Sequence, residues 1–237
     1  MTRPGPLKVF ATILRPSPAV FAAHAAIVAW AAYLAWLAPR EPDHLRPVYV
    51  VLLLAQSFSA ATGFSFRASR GHFDQVLVAP ASRVAVGLAH AMASMAIGIV
   101  TWLLVAVIEA VSDRGNVPSG FALPAVAALL YMSAVAWAAA LPFARYSTGV
   151  IWLILAIALA GAGKLLALRQ AYAAAAEPAG DVWKAAGAAL VFPPLMVTEP
   201  SAPVAICAYL VLAAAVVVGG IGVLAIEAFD FPLVDPS

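Results

Sequence analysis

Long stretches without a charged residue alternate along the chain with short clusters of Arg, Lys, Asp and Glu. A helix needs about 20 apolar residues to cross the hydrocarbon core of a bilayer, and backbone groups in lipid must form hydrogen bonds within their own segment. The charge-free stretches are rich in Ala, Leu and Val and lack the alternation typical of a β-barrel strand. They predict an all-α fold with six transmembrane helices, at residues 16–39, 47–66, 84–108, 121–144, 146–165 and 201–226.

Two further segments of the predicted single transmembrane domain, residues 1–237, do not have the length of a span. In residues 1–15 the apolar positions recur at three-to-four-residue spacing: Leu7, Phe10, Ile13 and Leu14. This spacing predicts a short amphipathic helix at the membrane surface, or a helical lead-in to the first span. Residues 185–198 are apolar but too short to span and contain Pro193-Pro194, so we expect an outer or re-entrant segment there.

The composition supports a membrane protein. Hydrophobic residues make up 65% of the chain and charged residues 10%, against about 45–50% and about 25% in soluble domains. A net charge of +2 gives no basis for nucleic-acid binding. The first apolar stretch is longer than the roughly 7–15 residues of a signal-peptide core, which favours a span over a cleaved leader. The single Cys207 excludes an intrachain disulfide.

The distribution of Lys and Arg favours cytoplasmic N- and C-termini. Seven of these residues fall on the side of the N-terminus and six on the opposite side, so the total count is almost balanced. The two tightest clusters, Arg3/Lys8/Arg15 and Arg67/Arg70/Arg83, both lie on the N-terminal side. We therefore expect that side to be cytoplasmic.

The connection between the second and third predicted spans, residues 67–83, is longer than a plain loop requires and has its own periodicity. Phe73, Val76 and Leu77 form an i, i+3, i+4 apolar stripe. The remaining signals are Asp74 and Gln75 off that stripe, Gly71 for a turn, Pro80 to end the helix and Ser82 to cap the next span. The pattern predicts a short cytoplasmic helix that either lies on lipid or docks on a partner.

The same stretch, from Ser69 to Arg83, resembles the signature of the ABC type-2 exporter permeases. The shared positions are Gly71, Asp74-Gln75, Leu77, Pro80 and Ser82-Arg83. Two positions depart from the pattern: His72 stands where a small hydroxyl residue is common, and no acidic residue directly precedes Arg70. The resemblance extends to the architecture, with an amphipathic N-terminal helix, six spans and a broken apolar segment before the last span.

The resemblance implies the membrane-spanning permease subunit of an ATP-driven exporter. It implies a separate ABC ATPase subunit, which binds ATP and Mg²⁺, and a second permease, either a copy of this chain or a homologue. It also implies a bacterial-type inner (cytoplasmic) membrane, with lipids around the spans. The residues implied to contact the ATPase are Arg70, Gly71, Phe73, Asp74, Gln75, Val76, Leu77, Pro80, Ser82 and Arg83.

We expect no catalytic residue, metal or cofactor in this chain, so its role in catalysis is that of a subunit beside an ATP-hydrolysing partner. Gly161-Ala162-Gly163-Lys164 is not a phosphate loop, because Leu165 replaces the required Ser or Thr. The spans lack charge pairs, which favours an amphipathic, lipid-like or drug-like cargo. The alternatives are a haem-exporter-type membrane subunit, or a six-span channel or membrane enzyme without an ATPase.

Two histidines inside predicted spans are candidates for a substrate path, His24 and His90. A polar side chain within a span is a functional candidate, although a single hydrogen bond inside the bundle also accounts for it. The four His residues have no spacing typical of a metal site. Gly219, Gly220 and Gly222 in the last span predict close helix approach.

Overall fold

In a computed structural model, the described residues are 17–37, 44–69, 83–112, 121–140 and 203–225. They form five helices: α1 Pro18–Leu37, α2 Arg46–Ser69, α3 Arg83–Ser112, α4 Ala122–Ala140 and α5 Pro203–Ala225. No strand occurs among these residues, so the predicted all-α class is confirmed for them. Four predicted elements lie wholly or largely outside the described residues: the N-terminal helix 1–15, the coupling loop 67–83, the span 146–165 and the segment 185–198.

Local sequence sets the helix starts. Ser17 precedes α1 and accepts a hydrogen bond from the Val20 N–H through its hydroxyl, at 3.3 Å. Pro18 and Pro203 occupy the first positions of α1 and α5, where a missing N–H is tolerated because it would have no helical partner. At α4, the Ala125 N–H donates to the Phe121 carbonyl at 2.9 Å, which closes the first turn.

Three helices of the described chain are long and apolar enough to cross a membrane: Pro18–Leu37, Ala89–Ser112 and Ala122–Ala139. α5 contains a shorter apolar stretch, Tyr209–Val223. Helix α2 has 24 residues, about 36 Å at 1.5 Å per residue, but four of its buried side chains are polar: Gln56, Ser57, Ser59 and Thr62. These helices are therefore compatible with a membrane protein.

Helix α4 is central in the described bundle. It packs most extensively against α2 on one side and α5 on the other, and it also contacts α3. Helix α1 packs chiefly against α3 and less against α2. The core side chains come mainly from α2 and α4, and the largest fully buried ones are Trp137, Tyr49, Tyr209, Leu52, Leu53, Leu129 and Gln56.

The outer surfaces of α1, α3 and α5 carry many large apolar side chains. The exposed residues of α3 are Met92, Ile99, Val100, Leu103, Leu104, Val107 and Val111. Those of α5 are Leu210, Val211, Val218 and Val223. A soluble protein of this size rarely exposes so much apolar surface, so these faces have the character of surfaces that contact lipid or other apolar helices.

Candidate functional site

Helices α2 and α3 flank the segment that the sequence singles out for ATPase contact. α2 ends at Ser69 and α3 begins at Arg83. The predicted contact residues Arg70, Gly71, Phe73, Asp74, Gln75, Val76, Leu77, Pro80 and Ser82 lie outside the described residues, and for Arg83 only the helical backbone is described. The geometry described below is therefore that of the helical bundle to which this segment connects.

A polar layer crosses the bundle near the middle of α2. The Gln56 amide donates from Nε2 to the Ser133 hydroxyl at 3.2 Å and so links α2 to α4. On α3, Gly98 lies directly against this side chain: a Cβ added at Gly98 would be 2.5 Å from Gln56 Cδ and 2.6 Å from Oε1. The absence of a side chain at Gly98 is therefore what lets α3 approach the amide.

Helix α1 joins the bundle through His24. Its Nδ1 lies 2.9 Å from the Thr101 hydroxyl on α3, and the imidazole is buried. The Thr101 hydroxyl also donates to the Ile97 carbonyl one turn earlier, at 2.8 Å. The other ring nitrogen of His24, Nε2, is buried and has no hydrogen-bond partner within the part of the chain that the structure describes.

His90 is also buried, but it lies away from His24. His24 pairs with Thr101, which follows His90 by eleven residues on α3, about 16 Å along the helix axis. The two histidines named as candidates from the sequence therefore occupy different levels of the bundle, and only His24 shares a level with the Gln56 layer through Thr101 and Gly98.

A second polar tie closes one end of the bundle. The Tyr49 hydroxyl in the first turn of α2 donates to Glu109 Oε2 near the end of α3, at 2.5 Å, and both residues are buried. The Arg46 guanidinium lies over the Phe121 ring, 4.5 Å from its centroid, which is cation–π geometry. The Trp102 indole donates to the Ala122 carbonyl at 2.7 Å. Together these contacts connect α2, α3 and α4.

The hydroxyls on α2 show how polar residues fit in this core. Ser57, Ser59 and Thr62 donate to carbonyls three or four residues earlier in their own helix, at 3.0, 2.8 and 2.7 Å. This back-bonding satisfies the hydroxyls without a partner from another helix. Their protons are therefore used within α2, and each hydroxyl keeps only its capacity to accept a hydrogen bond.

The sequence pattern singles out His24 but not the other residues whose side chains make contacts between helices. Gln56 lies within the predicted span 47–66 and Glu109 directly follows the predicted span 84–108, but the sequence pattern gives neither residue a role. Both could have been found from the rule that an amide or carboxylate in or beside a membrane-spanning segment needs a hydrogen-bond partner. Among the described residues, no group of three or more His, Cys, Asp or Glu is arranged to hold a metal ion.

Comparison of the chain with protein-family models, with curated proteins and with solved structures found no match. The resemblance to exporter permeases is therefore an expectation from the sequence, based on the residues from Ser69 to Arg83 and on the predicted architecture. Function follows from these features as a proposal.

Proposed function

We propose that this chain is the membrane-spanning permease subunit of an ATP-driven exporter, and that it couples ATP hydrolysis by a separate ATPase subunit to export of an amphipathic, lipid-like or drug-like molecule. The observation that carries the proposal is the motif at residues 69–83 between two long helices, α2 and α3. A channel or a membrane enzyme has no need of such a segment.

The ties between α2 and α3 support a mechanical role for this segment. Gly98 fits against Gln56 in the middle of the bundle, and Tyr49 bonds to Glu109 at one end. Because packed cores respond to force as discrete units, a displacement at residues 70–82 would carry α2 and α3 together. Helix α1 packs chiefly against α3 and is linked to it through His24 and Thr101, so the displacement would reach α1 through α3.

The full proposal includes six spans, cytoplasmic termini and a bacterial-type inner membrane. It also includes a second permease, because the predicted spans of one chain are too few to enclose a path for a bulky cargo. We expect the purified assembly to contain at least two membrane subunits, measured by native mass spectrometry from lipid nanodiscs. An active complex with one copy would contradict this part.

The decisive experiment removes the aromatic anchor of the predicted coupling helix. Phe73→Ala should weaken ATPase binding by roughly 30-fold, since truncation of such an anchor commonly costs about 2 kcal/mol. Asp74→Lys should have a smaller effect, because it reverses a charge at the rim of the contact. The matched control is Trp36→Ala on α1, where the aromatic side chain is exposed on the apolar surface.

The measurement is co-purification of the ATPase subunit with each variant, together with cargo-stimulated ATP hydrolysis. Membrane insertion should be the same for all variants, because none changes the charge of a span. Full ATPase binding and activity in both Phe73→Ala and Asp74→Lys would favour the alternative of a six-span channel or membrane enzyme, with residues 67–83 lying on lipid.

A further inference from the structure

The protonation state of His24 follows from the two hydrogen bonds at Thr101. A threonine hydroxyl has one proton, and the Thr101 hydroxyl donates it to the Ile97 carbonyl at 2.8 Å. The contact of 2.9 Å between Thr101 Oγ1 and His24 Nδ1 therefore needs a proton on Nδ1. In the neutral ring, Nε2 then carries a lone pair and no proton, so it can only accept a hydrogen bond.

This acceptor lies in a buried position. His24 is 3% exposed, and Nε2 has no partner among the residues that the structure describes. Buried polar groups in proteins almost always have a hydrogen-bond partner. We propose that His24 Nε2 is the acceptor for a hydroxyl group of an amphipathic cargo molecule, which enters the bundle between α1 and α3. The cargo role depends on the proposed exporter function, whereas the acceptor site does not.

The residues around His24 Nε2 favour a neutral hydrogen-bond donor over a cation or a metal ion. A cation such as an ammonium group would need a carboxylate nearby, and Glu109 lies eight residues beyond Thr101 on α3, about 12 Å along the axis, where it accepts the Tyr49 hydroxyl. A metal ion would need several ligands, and the described residues contain no such group. A hydroxyl needs only the one lone pair that His24 offers.

The path to this acceptor runs along the boundary between α1 and α3. Only three side chains of α1 are buried, His24, Ile27 and Ala31, and they form one narrow stripe. Exposed apolar side chains flank this boundary on both helices: Phe21 lies one turn before His24 on α1, and Leu104 lies one turn after Thr101 on α3. An alkyl chain can lie along these apolar faces, and its hydroxyl reaches the buried Nε2 when α1 and α3 separate at this boundary.

The test uses dodecanol and its methyl ether, which lacks the donor proton, with the full chain in phosphatidylcholine nanodiscs. Nitrogen-15 spectra of histidine-labelled protein report the state of each ring nitrogen, and His24→Asn identifies the His24 signals. We expect an unprotonated Nε2 that moves upfield with dodecanol and stays unchanged with the ether. An Nε2 that carries the proton, or that responds equally to both compounds, would overturn the proposal.

Two variants separate the acceptor from the tie to Thr101. His24→Asn places an amide donor near the position of Nδ1 and removes the group at Nε2, so it should bind tritiated dodecanol roughly tenfold more weakly and lose the preference over the ether. Thr101→Val keeps the imidazole but removes the acceptor that holds the proton on Nδ1, so its preference for dodecanol should be weaker than that of the unchanged protein but stronger than that of His24→Asn. Scintillation-proximity binding, corrected with empty nanodiscs, measures both, and the reverse pattern would overturn the proposal.

Other occupants of the site give distinct results. A ligand-free Nε2 that is already hydrogen-bonded and does not respond to dodecanol would identify a bound water and overturn the cargo assignment. A haem absorption change that disappears in His24→Asn would replace the hydroxyl with haem iron, for which imidazole is a common ligand. If dodecanol recognition persists but no ATPase subunit binds the chain, the acceptor site stands and the proposed exporter function fails.

Discussion

Helices α1 and α4 are equally free of charged residues, yet they hold different positions in the bundle. α4 places Leu129 and Trp137 in the core with no exposed surface, whereas α1 buries one narrow stripe and leaves Trp36 76% exposed. Apolar sequence alone favours both helices for the membrane, because lipid and protein core are similar solvents for it. The difference arises from packing and from polar contacts, which hydropathy does not measure.

The polar contacts follow the same division in the part of the bundle that the structure describes. Helix α2 is tied to its neighbours at two levels, through Tyr49 to Glu109 and through Gln56 to Ser133. For α1, the described inter-helix hydrogen bond is that of His24 to Thr101. Polar pairs between membrane helices contribute about 0.6 kcal/mol on average. Helix α2, with close packing and hydrogen bonds at two levels, therefore belongs to the core of the bundle, and α1, with one such bond, belongs to its edge.

The largest difference is expected between two tryptophans. Trp137→Ala should lower the free energy of unfolding by about 3 kcal/mol, the lower end of the range of about 3–5 kcal/mol for such truncations, since the reference environment is lipid rather than water. The Trp137 indole N–H has no hydrogen-bond partner within the described residues, so the loss reports packing.

The matched control is Trp36→Ala on α1, which should change the free energy of unfolding by less than about 0.5 kcal/mol. Steric trapping in lipid nanodiscs measures both variants under the same conditions. Equal losses would mean that α1 is packed as closely as α4, and the contrast between core and edge would be wrong.

The next effect concerns the tie at the end of the bundle. Tyr49→Phe removes the hydroxyl that donates to Glu109 and leaves this carboxylate buried without that donor. We expect a loss of about 2 kcal/mol, within the range of about 1.5–3 kcal/mol for hydrogen bonds to charged groups. Tyr33→Phe on α1, where the ring is 55% exposed, should have almost no effect. The measurement is the midpoint of thermal unfolding of each variant, and a similar shift for both would contradict a buried tie.

A single added methyl group gives a third contrast. At Gly98 it would meet Gln56 at 2.5 Å, whereas at Gly219 on α5 no atom lies within 4 Å. Gly98→Ala should cost about 1–2 kcal/mol through overpacking, and Gly219→Ala should be neutral or slightly stabilising because Ala favours helix.

A double-mutant cycle sharpens this result. Gln56→Ala makes room for the methyl group, so the loss caused by Gly98→Ala should shrink in that background. Unfolding free energies of the four proteins give the coupling energy. Full additivity would show that Gln56 is not the residue that Gly98 accommodates.

These glycines show how far the sequence predicts this molecule. The length of the charge-free stretches was enough to predict helices, and the described residues form five helices. Close helix approach was expected at Gly219, Gly220 and Gly222. Gly220 is buried, but an added Cβ at Gly219 or Gly222 would have open space among the described residues, whereas one at Gly98 would meet Gln56. A helix that is apolar on all sides carries no signal for its rotation, so the sequence cannot indicate which glycine faces a neighbour.

The smallest effect is expected at the edge of the bundle. Thr101→Val is nearly isosteric and removes the hydroxyl that accepts from His24 Nδ1. The Ile97 carbonyl loses only a second donor, because it already accepts a backbone hydrogen bond within the helix. We expect a loss of about 0.6 kcal/mol, the average for polar pairs between membrane helices. The change should act on α1 more than on the core, so hydrogen exchange measured by mass spectrometry should increase in Pro18–Leu37 and stay constant in α4. If exchange instead rises equally in α4, Thr101 supports the core, and α1 is not an independent edge.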